Sequence, residues 1–420
     1  MRILFLVYAQ QKSFGEFCSQ PKTRFSWVDA LIDRLTKVVD TSIGVAVPTH
    51  DKTFQKANKD EIALYGLPNP PEKRFFKKIY NSLTYREENL NINNFTFQAV
   101  SDFKPDIIQI FGSENPFGLI IKNLNIPVII HIQGYLLVWK VKWFTAISRW
   151  EQFRYESLKN LLIMQGSYHE YNIFMKRAER EAIILKNCRY FMGRTDFDKK
   201  IISLLSPDSK YFHCEEFIRK DFFERSWNFP LGGLVKCVSI LKATSYKGIE
   251  LLVETSLILK QYSAFPVEFS ICGVSEEEEI IAIIKKKYRK ETDFSNVRFL
   301  GRLSSLELVD QLCSSNFYVH PSYIENSPNS VCEAMALGMP VISTNVGGIN
   351  SMITDKKEGL LVQEGEPYSL AAAIVELINN YEAAKLLGIK ARERSLKRND
   401  SEKIMAQLLN IYNTILSENG

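Results

Sequence analysis

Short apolar runs alternate with segments of helical periodicity along most of the chain. Uninterrupted apolar runs such as DIIQIF and PVIIHI are typical of parallel strands that are buried on both faces. The predicted strands are Ile3–Val7, Ser42–Val47, Asp106–Phe111, Pro127–Ile132, Val235–Leu241, Pro266–Cys272, Val297–Leu300, Phe317–His320 and Pro340–Thr344. This alternation predicts an α/β fold, with open parallel sheets that carry helices on both faces.

The length of the chain predicts more than one domain. A chain of 420 residues is long enough for two or three cores. The segment ERSWNFPLGG, between Phe223 and Gly233, carries the Pro and Gly residues expected of an interdomain linker. We therefore predict domains at 1–225 and 226–400, followed by an amphipathic helix within 401–420. In doubly wound sheets ligands bind beyond the carboxyl ends of the strands, so a cleft between the two domains is the expected site.

Composition and charge restrict the predicted ligands and the predicted cellular compartment of the protein. A net charge of +5 and a pI near 8.6 suit phosphorylated ligands or an anionic membrane surface, and are too weak to indicate nucleic acid. Seven scattered cysteines without a C-x-x-C pair indicate reduced thiols in the cytosol. No apolar run reaches 18 residues, and MRILFLVYAQ is too short for a signal peptide, so we expect a cytoplasmic protein without a membrane span.

The stretch PSYIENSPNSVCEAMALGMP, from Pro321 to Pro340, predicts a helix tip. Ser327 is a good N-cap and Pro328 suits the first helical position, so we predict a helix over Pro328–Leu337 that Gly338 ends. The amides of Asn329 and Ser330 would then lie at the positive end of the helix, where phosphates bind. Glu333 inside the helix and Glu325 in the preceding loop could accept hydrogen bonds from hydroxyl groups. The pattern therefore predicts a site for an anionic ligand rich in hydroxyls.

The two glutamates, the following EAMALGMPVISTNVGG and the later EGLLV together resemble the donor-nucleotide site of family 4 retaining glycosyltransferases. The resemblance is dense from Ile240 to Val362. It implies the GT-B architecture, in which two Rossmann-like, doubly wound domains face each other across a cleft, with the last helix crossing back onto the N-terminal domain. It also implies that a sugar moves, with retention and without a metal or other cofactor, from a nucleotide-diphosphate donor to a glycan or lipid-linked acceptor in bacterial polysaccharide biosynthesis. In this resemblance Glu333 anchors the ribose and Glu325 contacts the transferred sugar.

Two lysines follow the first strand of the predicted second domain. Lys242 and Lys247 resemble the basic pair that grips the donor diphosphate, where fixed cations would stabilise the departing nucleotide. The family usually has Arg at the first position. Lys242 differs because a lysine cannot form the bidentate hydrogen bonds that an arginine forms with phosphate. The alternative is a pair of solvated lysines in a loop.

Histidines and glycines at strand ends are further candidates. His131 ends the strand PVIIHI and is predicted to contact the sugar or the acceptor, although a buried core histidine is the alternative. For His320, at the end of another strand, we favour a structural role. Gly273 could let the backbone approach a nucleotide or could be a turn glycine, and Gly15 is the glycine available for a phosphate loop after the first strand. Asp196 and Asp198 form a D-x-D pattern like that of metal-binding transferases, but Thr195 followed by Asp198 is better explained as a capping box at the start of a helix.

Three of the five tryptophans lie between Tyr135 and Asn160. On one continuous helix Trp139, Trp143 and Trp150 would share a face that cations flank, as an interfacial helix requires. We consider peripheral contact with the inner membrane surface, where a lipid-linked acceptor would lie, and ordinary packing on the core, as equal alternatives.

Two other functions remain open at this stage. A nucleotide-sugar epimerase of the same architecture would convert the donor without an acceptor. A non-catalytic scaffold of a glycan assembly complex would keep the fold, although both glutamates and both lysines of the site are present. The sequence does not specify the base, the sugar or the acceptor.

Overall fold

The computed structural model describes residues 1–9, 26–69, 80, 92–158, 160, 166–230, 232–288 and 294–419. Within these ranges the chain divides into two compact units. The first unit comprises Met1–Leu137, Asn172–Phe217 and Asp400–Gly420, and the second comprises Val138–Tyr171 and Ile218–Asn399. The predicted limits 1–225, 226–400 and 401–420 therefore differ from these units mainly in the placement of 138–171.

The first unit is built on a sheet to which eight strands of the described ranges contribute, in the order β3-β4-β2-β1-β5-β6-β7-β8. The short edge strand β3 is antiparallel to β4, whereas the other strand pairs of this sheet are parallel. The strands are β1 (Arg2–Leu6), β2 (Ser42–Thr49), β3 (Gln55–Lys59), β4 (Ile62–Pro68), β5 (Ile107–Phe111), β6 (Val128–His131), β7 (Tyr190–Gly193) and β8 (Lys210–His213). The helices are α1 (Ser26–Leu35), α2 (Ile92–Phe103), α3 (Leu136–Lys142, which continues into the second unit), α5 (Ser167–Asn187), α6 (Asp196–Leu205) and the last helix, α15 (Ser401–Ser417).

The last helix packs on the first unit. Apolar side chains of α15, including Leu408 and Ile411, join the core that β1 and α1 form. The Tyr412 hydroxyl donates a hydrogen bond to the buried side chain of Gln109 on β5. The amphipathic pattern predicted for Glu402–Leu416 accounts for this packing, because its apolar side faces the core.

The second unit is a parallel sheet to which six described strands contribute, in the order β11-β10-β9-β12-β13-β14. Counted from β9, this is the 3-2-1-4-5-6 order of a doubly wound sheet, with its switch point between β9 and β12. The strands are β9 (Val235–Ile240), β10 (Val267–Cys272), β11 (Val297–Gly301), β12 (Phe317–His320), β13 (Val341–Thr344) and β14 (Leu360–Val362). The helices are α4 (Arg149–Tyr155), α7 (Asp221–Glu224), α8 (Ile249–Tyr262), α9 (Glu279–Lys287), α10 (Ser305–Cys313), α11 (Asn329–Leu337), α12 (Ile349–Met352), α13 (Pro367–Asn379) and α14 (Tyr381–Arg398).

The tryptophan-rich segment does not form the single helix on which the predicted stripe depends. Helix α3 ends at Lys142, and Ser148 starts helix α4 through a capping box with Glu151. Ala146 and Ile147, between the two helices, are buried in the core of the second unit. The one-helix prediction is wrong because this cap and this buried corner interrupt the helical periodicity.

The predicted helix cap at Thr195 and the predicted interdomain linker both lie within the described residues. Thr195 and Asp198 form the predicted capping box at the start of α6, which confirms their structural role. The predicted linker packs on the second unit: Trp227 is buried, and its indole N–H donates to the carbonyl of Ser315 over 2.8 Å. Among the described residues, no helix has both the length and the apolar character needed to cross a bilayer.

Candidate functional site

Loops that follow β9 and β12 meet at the switch point of the second sheet. The Lys247 Nζ lies 2.5 Å from Oε1 of Glu325, and both side chains are largely buried. The amide of Tyr323 donates to the carbonyl of Tyr246 over 2.9 Å, which fixes one loop against the other. Gly248 has a φ of +71°, and a Cβ there would lie 2.1 Å from the carbonyl oxygen of Pro321. Only glycine permits both this backbone conformation and this close approach.

The Glu325 carboxylate is held by three donors. Besides Lys247, the Ser322 hydroxyl donates to Oε1 over 2.7 Å, and the His320 Nε2 lies 3.0 Å from the same oxygen. Burial alone would raise the pKa of Glu325, but Lys247 and His320 hold it well below its usual range. Glu325 is therefore an ionised, oriented hydrogen-bond acceptor at neutral pH.

Helix α11 begins at Asn329, one residue later than predicted. Pro328 is its N-cap, with an extended ψ of 121°, and the Ser327 hydroxyl points to the sulfur of Met352 instead of capping the helix. The predicted end is correct, because Gly338 follows with a φ of +82°. Asn329 and Ser330 thus occupy the first turn, where helix amides point outward from the N-terminus.

The second glutamate of the motif, Glu333, is buried inside α11 and paired with a residue that the sequence analysis missed. The Arg219 Nε and Nη2 lie 2.8 and 2.7 Å from Glu333 Oε1. Burial raises the pKa of Glu333, although the guanidinium opposes this shift. Arg219 precedes α7 and is separated from Glu333 by 114 positions, so no local spacing indicates the pair.

The remaining predicted donor residues lie at the same edge of the second sheet or outside the described residues. Lys242 is exposed in the loop after β9, five positions before Lys247. Gly273 follows β10 with a φ of +88°, and a Cβ there would lie 2.3 Å from the carbonyl oxygen of Leu241. Its close approach is therefore to the loop after β9, and a contact with a nucleotide stays a prediction. Gly15 lies outside the described residues.

His131 lies in the first unit. It ends β6 and is buried, with its ring 5.2 Å from that of Trp27 and its Nε2 3.5 Å from Glu216. Burial and, to a smaller extent, the charge of Arg194 together lower the pKa of His131 to about 3. The imidazole is therefore neutral at physiological pH. These contacts are those of a core histidine, and the predicted contact with a sugar stays a prediction.

The three tryptophans have different surroundings. Trp143 is buried, and Trp139 stacks on Tyr246 at 5.7 Å between ring centroids. Trp150 is 65% exposed and lies 6.1 Å from the ring of the exposed Phe153. The three side chains therefore do not share one exposed face.

Comparison with known proteins agrees with this geometry. Residues 234–380 match the sequence model of a family described as "Glycosyl transferases group 1". The matched residues lie within the second unit and include Lys242, Lys247, Glu325 and Glu333.

Relatives and solved structures extend the comparison. The capsular polysaccharide biosynthesis glycosyltransferase CapM of Staphylococcus aureus is 29% identical over 172 residues, which are 41% of this chain and 44% of CapM. The chain spans less than half of the length of the first curated relatives that it matches. Sucrose-phosphate synthase from Thermosynechococcus elongatus aligns over 99% of both chains with a TM-score of 0.70 and 16% identity. Anabaena HepE, solved in complex with UDP and glucose, aligns over 99% of this chain and 100% of its own with a TM-score of 0.65 and 14% identity. These structures establish the fold, which is GT-B.

Proposed function

We propose that the protein is a retaining glycosyltransferase of family 4 type, which moves a sugar from a nucleotide-diphosphate donor to a glycan or lipid-linked saccharide acceptor. The observation that carries this proposal is the buried Lys247–Glu325 pair at the switch point, next to the tip of α11. The match to the group 1 family and relatives named for capsular polysaccharide synthesis support the same activity. A bacterial surface polysaccharide is therefore the proposed destination of the sugar.

Each side chain has a role in the proposed reaction. Lys247, Lys242 and the amides of Asn329 and Ser330 bind the diphosphate and stabilise the charge that develops on it. Glu333 accepts hydrogen bonds from the ribose, and Glu325 does so from the transferred sugar. The ionised Glu325 also stabilises positive charge on the sugar as its bond to phosphate breaks.

The bond changes of this reaction balance without a metal ion or an enzyme nucleophile. The acceptor oxygen forms a bond to the anomeric carbon on the face from which the phosphate oxygen departs. The acceptor proton moves to the departing phosphate, and the nucleoside diphosphate leaves. We propose metal-independent transfer because the cations of the site can neutralise this diphosphate.

A thermal-shift screen against UDP-, GDP- and ADP-linked sugars tests the donor. A ligand that binds only the folded protein raises the melting temperature. At a concentration of 100 times Kd it increases the free energy of unfolding by about 2.7 kcal/mol. We expect one nucleotide series to stabilise the protein, and UDP is the first candidate because HepE was solved with it. No shift with any of these sugars would contradict the proposal. NMR of the donor incubated with the protein in the absence of an acceptor tests the alternative. Epimerisation of the donor sugar under these conditions would indicate an epimerase instead.

We also propose that helix α4 brings the enzyme to an anionic membrane surface. Trp150 and Phe153 are 65% and 46% exposed, and Arg149 and Arg154 lie on the same short helix. Exposed aromatic rings beside cations suit the interface of a bilayer that contains anionic lipid. The proposed membrane contact is therefore limited to α4 and does not include all three tryptophans, because Trp139 and Trp143 pack against Tyr246.

Vesicle flotation tests the α4 surface. We expect binding to vesicles of phosphatidylglycerol that weakens with salt and is reduced roughly tenfold or more in a variant with Trp150→Ser and Phe153→Ser. Leu204→Ser, at an exposed leucine of α6, is the control and should bind like wild type. Equal binding of the double variant and the control would contradict the assignment.

A further inference from the structure

A buried hydrogen-bonded chain leads away from Glu325 on the side of β12. The His320 ring is almost completely buried, and its Nε2 faces Glu325 Oε1 at 3.0 Å. On its other side, the Nδ1 lies 3.4 Å from the hydroxyl of Tyr318, which is also fully buried. The two rings stack at 6.2 Å with an angle of 22° between their planes.

The chemistry of the partners orders the protons in this chain. An ionised carboxylate only accepts, so the His320 Nε2 must carry the proton that it donates to Glu325. In a neutral imidazole the Nδ1 then accepts, and the Tyr318 hydroxyl is its donor. One tautomer of His320 therefore satisfies both neighbours.

The chain continues to the tip of α11. Tyr318 forms a hydrogen bond with the side chain of Ser330, in the first turn of the helix. The order is thus Ser330, Tyr318, His320, Glu325 and Lys247, which joins the proposed phosphate site to the proposed sugar site within the second unit. Buried polar groups destabilise a fold unless each of them has a hydrogen-bond partner, and apolar side chains could fill the same space without this cost.

The three donors at Glu325 share one further property. Lys247, Ser322 and His320 all contact Oε1. Their convergence fixes the carboxylate and leaves Oε2 as the oxygen to meet a ligand hydroxyl. His320 contacts this oriented carboxylate through a ring that is itself buried.

We propose that His320 is a positioning residue for sugar binding: its Nε2–H, which faces Glu325 while the Tyr318 hydroxyl contacts Nδ1, orients Glu325 toward the sugar of the donor. This inference rests on the proposed function, since it assigns the ligand of Glu325. It changes the role that we predicted for His320 from structure alone to orientation of a binding carboxylate. In the proposed reaction Lys247 binds the diphosphate, so we expect its loss to weaken nucleotide binding and the loss of His320 to weaken the preference for the sugar.

The tautomer can be tested without a ligand. The chain has five histidines, and ¹⁵N NMR of the ring nitrogens, with His320→Gln to identify the signal, distinguishes the two tautomers. We expect the neutral ring to carry its proton on Nε2, and we expect the same tautomer in Tyr318→Phe, because the Glu325 carboxylate by itself requires a donor on Nε2. A proton on Nδ1 of wild-type His320 would overturn the proposal.

Binding of UDP and UDP-glucose, measured by calorimetry, tests the effect on the sugar. Wild type should bind UDP-glucose more tightly than UDP, and His320→Leu should reduce this preference by about tenfold while UDP itself binds within about twofold of wild type. His320→Gln, whose amide can donate to Glu325, should recover most of the preference. In His320→Leu the acid limb of activity against pH should also move to higher pH, because Glu325 loses one of the donors that lower its pKa.

Two outcomes separate the failure of this proposal from that of the proposed function. If wild type prefers UDP-glucose and His320→Leu keeps the full preference, the positioning role is wrong while the transferase proposal stands. If wild type binds neither UDP nor UDP-glucose, and no other nucleotide sugar raises its melting temperature, the proposed function fails, and the positioning role fails with it.

Discussion

Replacement of Lys247 by alanine or of Glu325 by glutamine should reduce sugar transfer by roughly 10²- to 10³-fold or more. In the proposed reaction, Lys247→Ala removes a cation that binds the diphosphate, and Glu325→Gln removes a negative charge that stabilises the developing sugar cation. The two groups form a close, largely buried pair at the switch point of the sheet. Activity should be measured as product formed from the donor that the thermal-shift screen selects.

The exposed pair Lys390–Glu393 provides a matched control. Its atoms lie 3.0 Å apart, but both side chains are more than 40% exposed. Lys390→Ala and Glu393→Gln should therefore leave transfer and folding unchanged, since exposed ion pairs contribute little. Full activity in folded Lys247→Ala or Glu325→Gln would refute the assignment of the site.

Folding must be separated from catalysis in these variants. Lys247→Ala leaves a buried carboxylate with fewer partners, which is destabilising. The folded pKa of Glu325 is lowered, so the stability that it contributes is present above the unfolded pKa and is lost as the pH falls through the folded value. Circular dichroism and melting at neutral pH should accompany each assay, and Lys247→Arg keeps the charge if the alanine variant does not fold.

Replacement of Glu250 by glutamine should stabilise the protein at alkaline pH. Glu250 lies in the first turn of α8, where burial raises its pKa to about 7 from 4.5, while Tyr323, Glu254 and Lys287 lie around it. Between pH 4.5 and about pH 7, Glu250 loses its proton in the unfolded chain but keeps it in the folded protein. The free energy of unfolding therefore falls as the pH rises. The total loss above pH 7 is about 3 kcal/mol, which Glu250→Gln should abolish.

Melting temperatures at pH 4.5 and pH 8 measure this effect. We expect Glu250→Gln to exceed wild type by several degrees at pH 8 and to differ little at pH 4.5, where most of the wild-type penalty is absent. Glu277→Gln, at an exposed position before α9, should follow wild type at both pH values. An advantage of Glu250→Gln that is equal at both pH values would contradict a titrating, buried carboxyl group.

Strand positions, and the edge of the second sheet at which the proposed site residues meet, could be predicted because they follow from local pattern and from topology. Phe317–His320 was predicted with the limits that β12 has, since an apolar run between turn residues is unambiguous. The start of α11 was wrong by one residue because Pro328 can serve as a cap or as a first helical residue, and only packing against Met352 shows where the Ser327 hydroxyl points.

Other features depend on contacts between distant parts of the chain. Arg219 pairs with Glu333 across 114 positions, and no periodicity indicates such a partner. The segment 138–171 follows strands of the first unit in sequence, yet Trp139 stacks on Tyr246 and the Ser245 hydroxyl donates to the carbonyl of Trp143 over 2.5 Å. His320 looked like an ordinary strand-end residue until its contact with Glu325 was visible.

Titration calorimetry with the nucleotide sugar that the thermal-shift screen selects, on wild type and Lys247→Ala side by side, tests the central claim most directly. The account predicts saturable binding at one site of wild type, in the absence of added metal ions, and a loss of roughly 10²-fold or more in affinity in folded Lys247→Ala, with Lys390→Ala unchanged. Tight binding that is equal in all three proteins would place the nucleotide elsewhere and contradict the account.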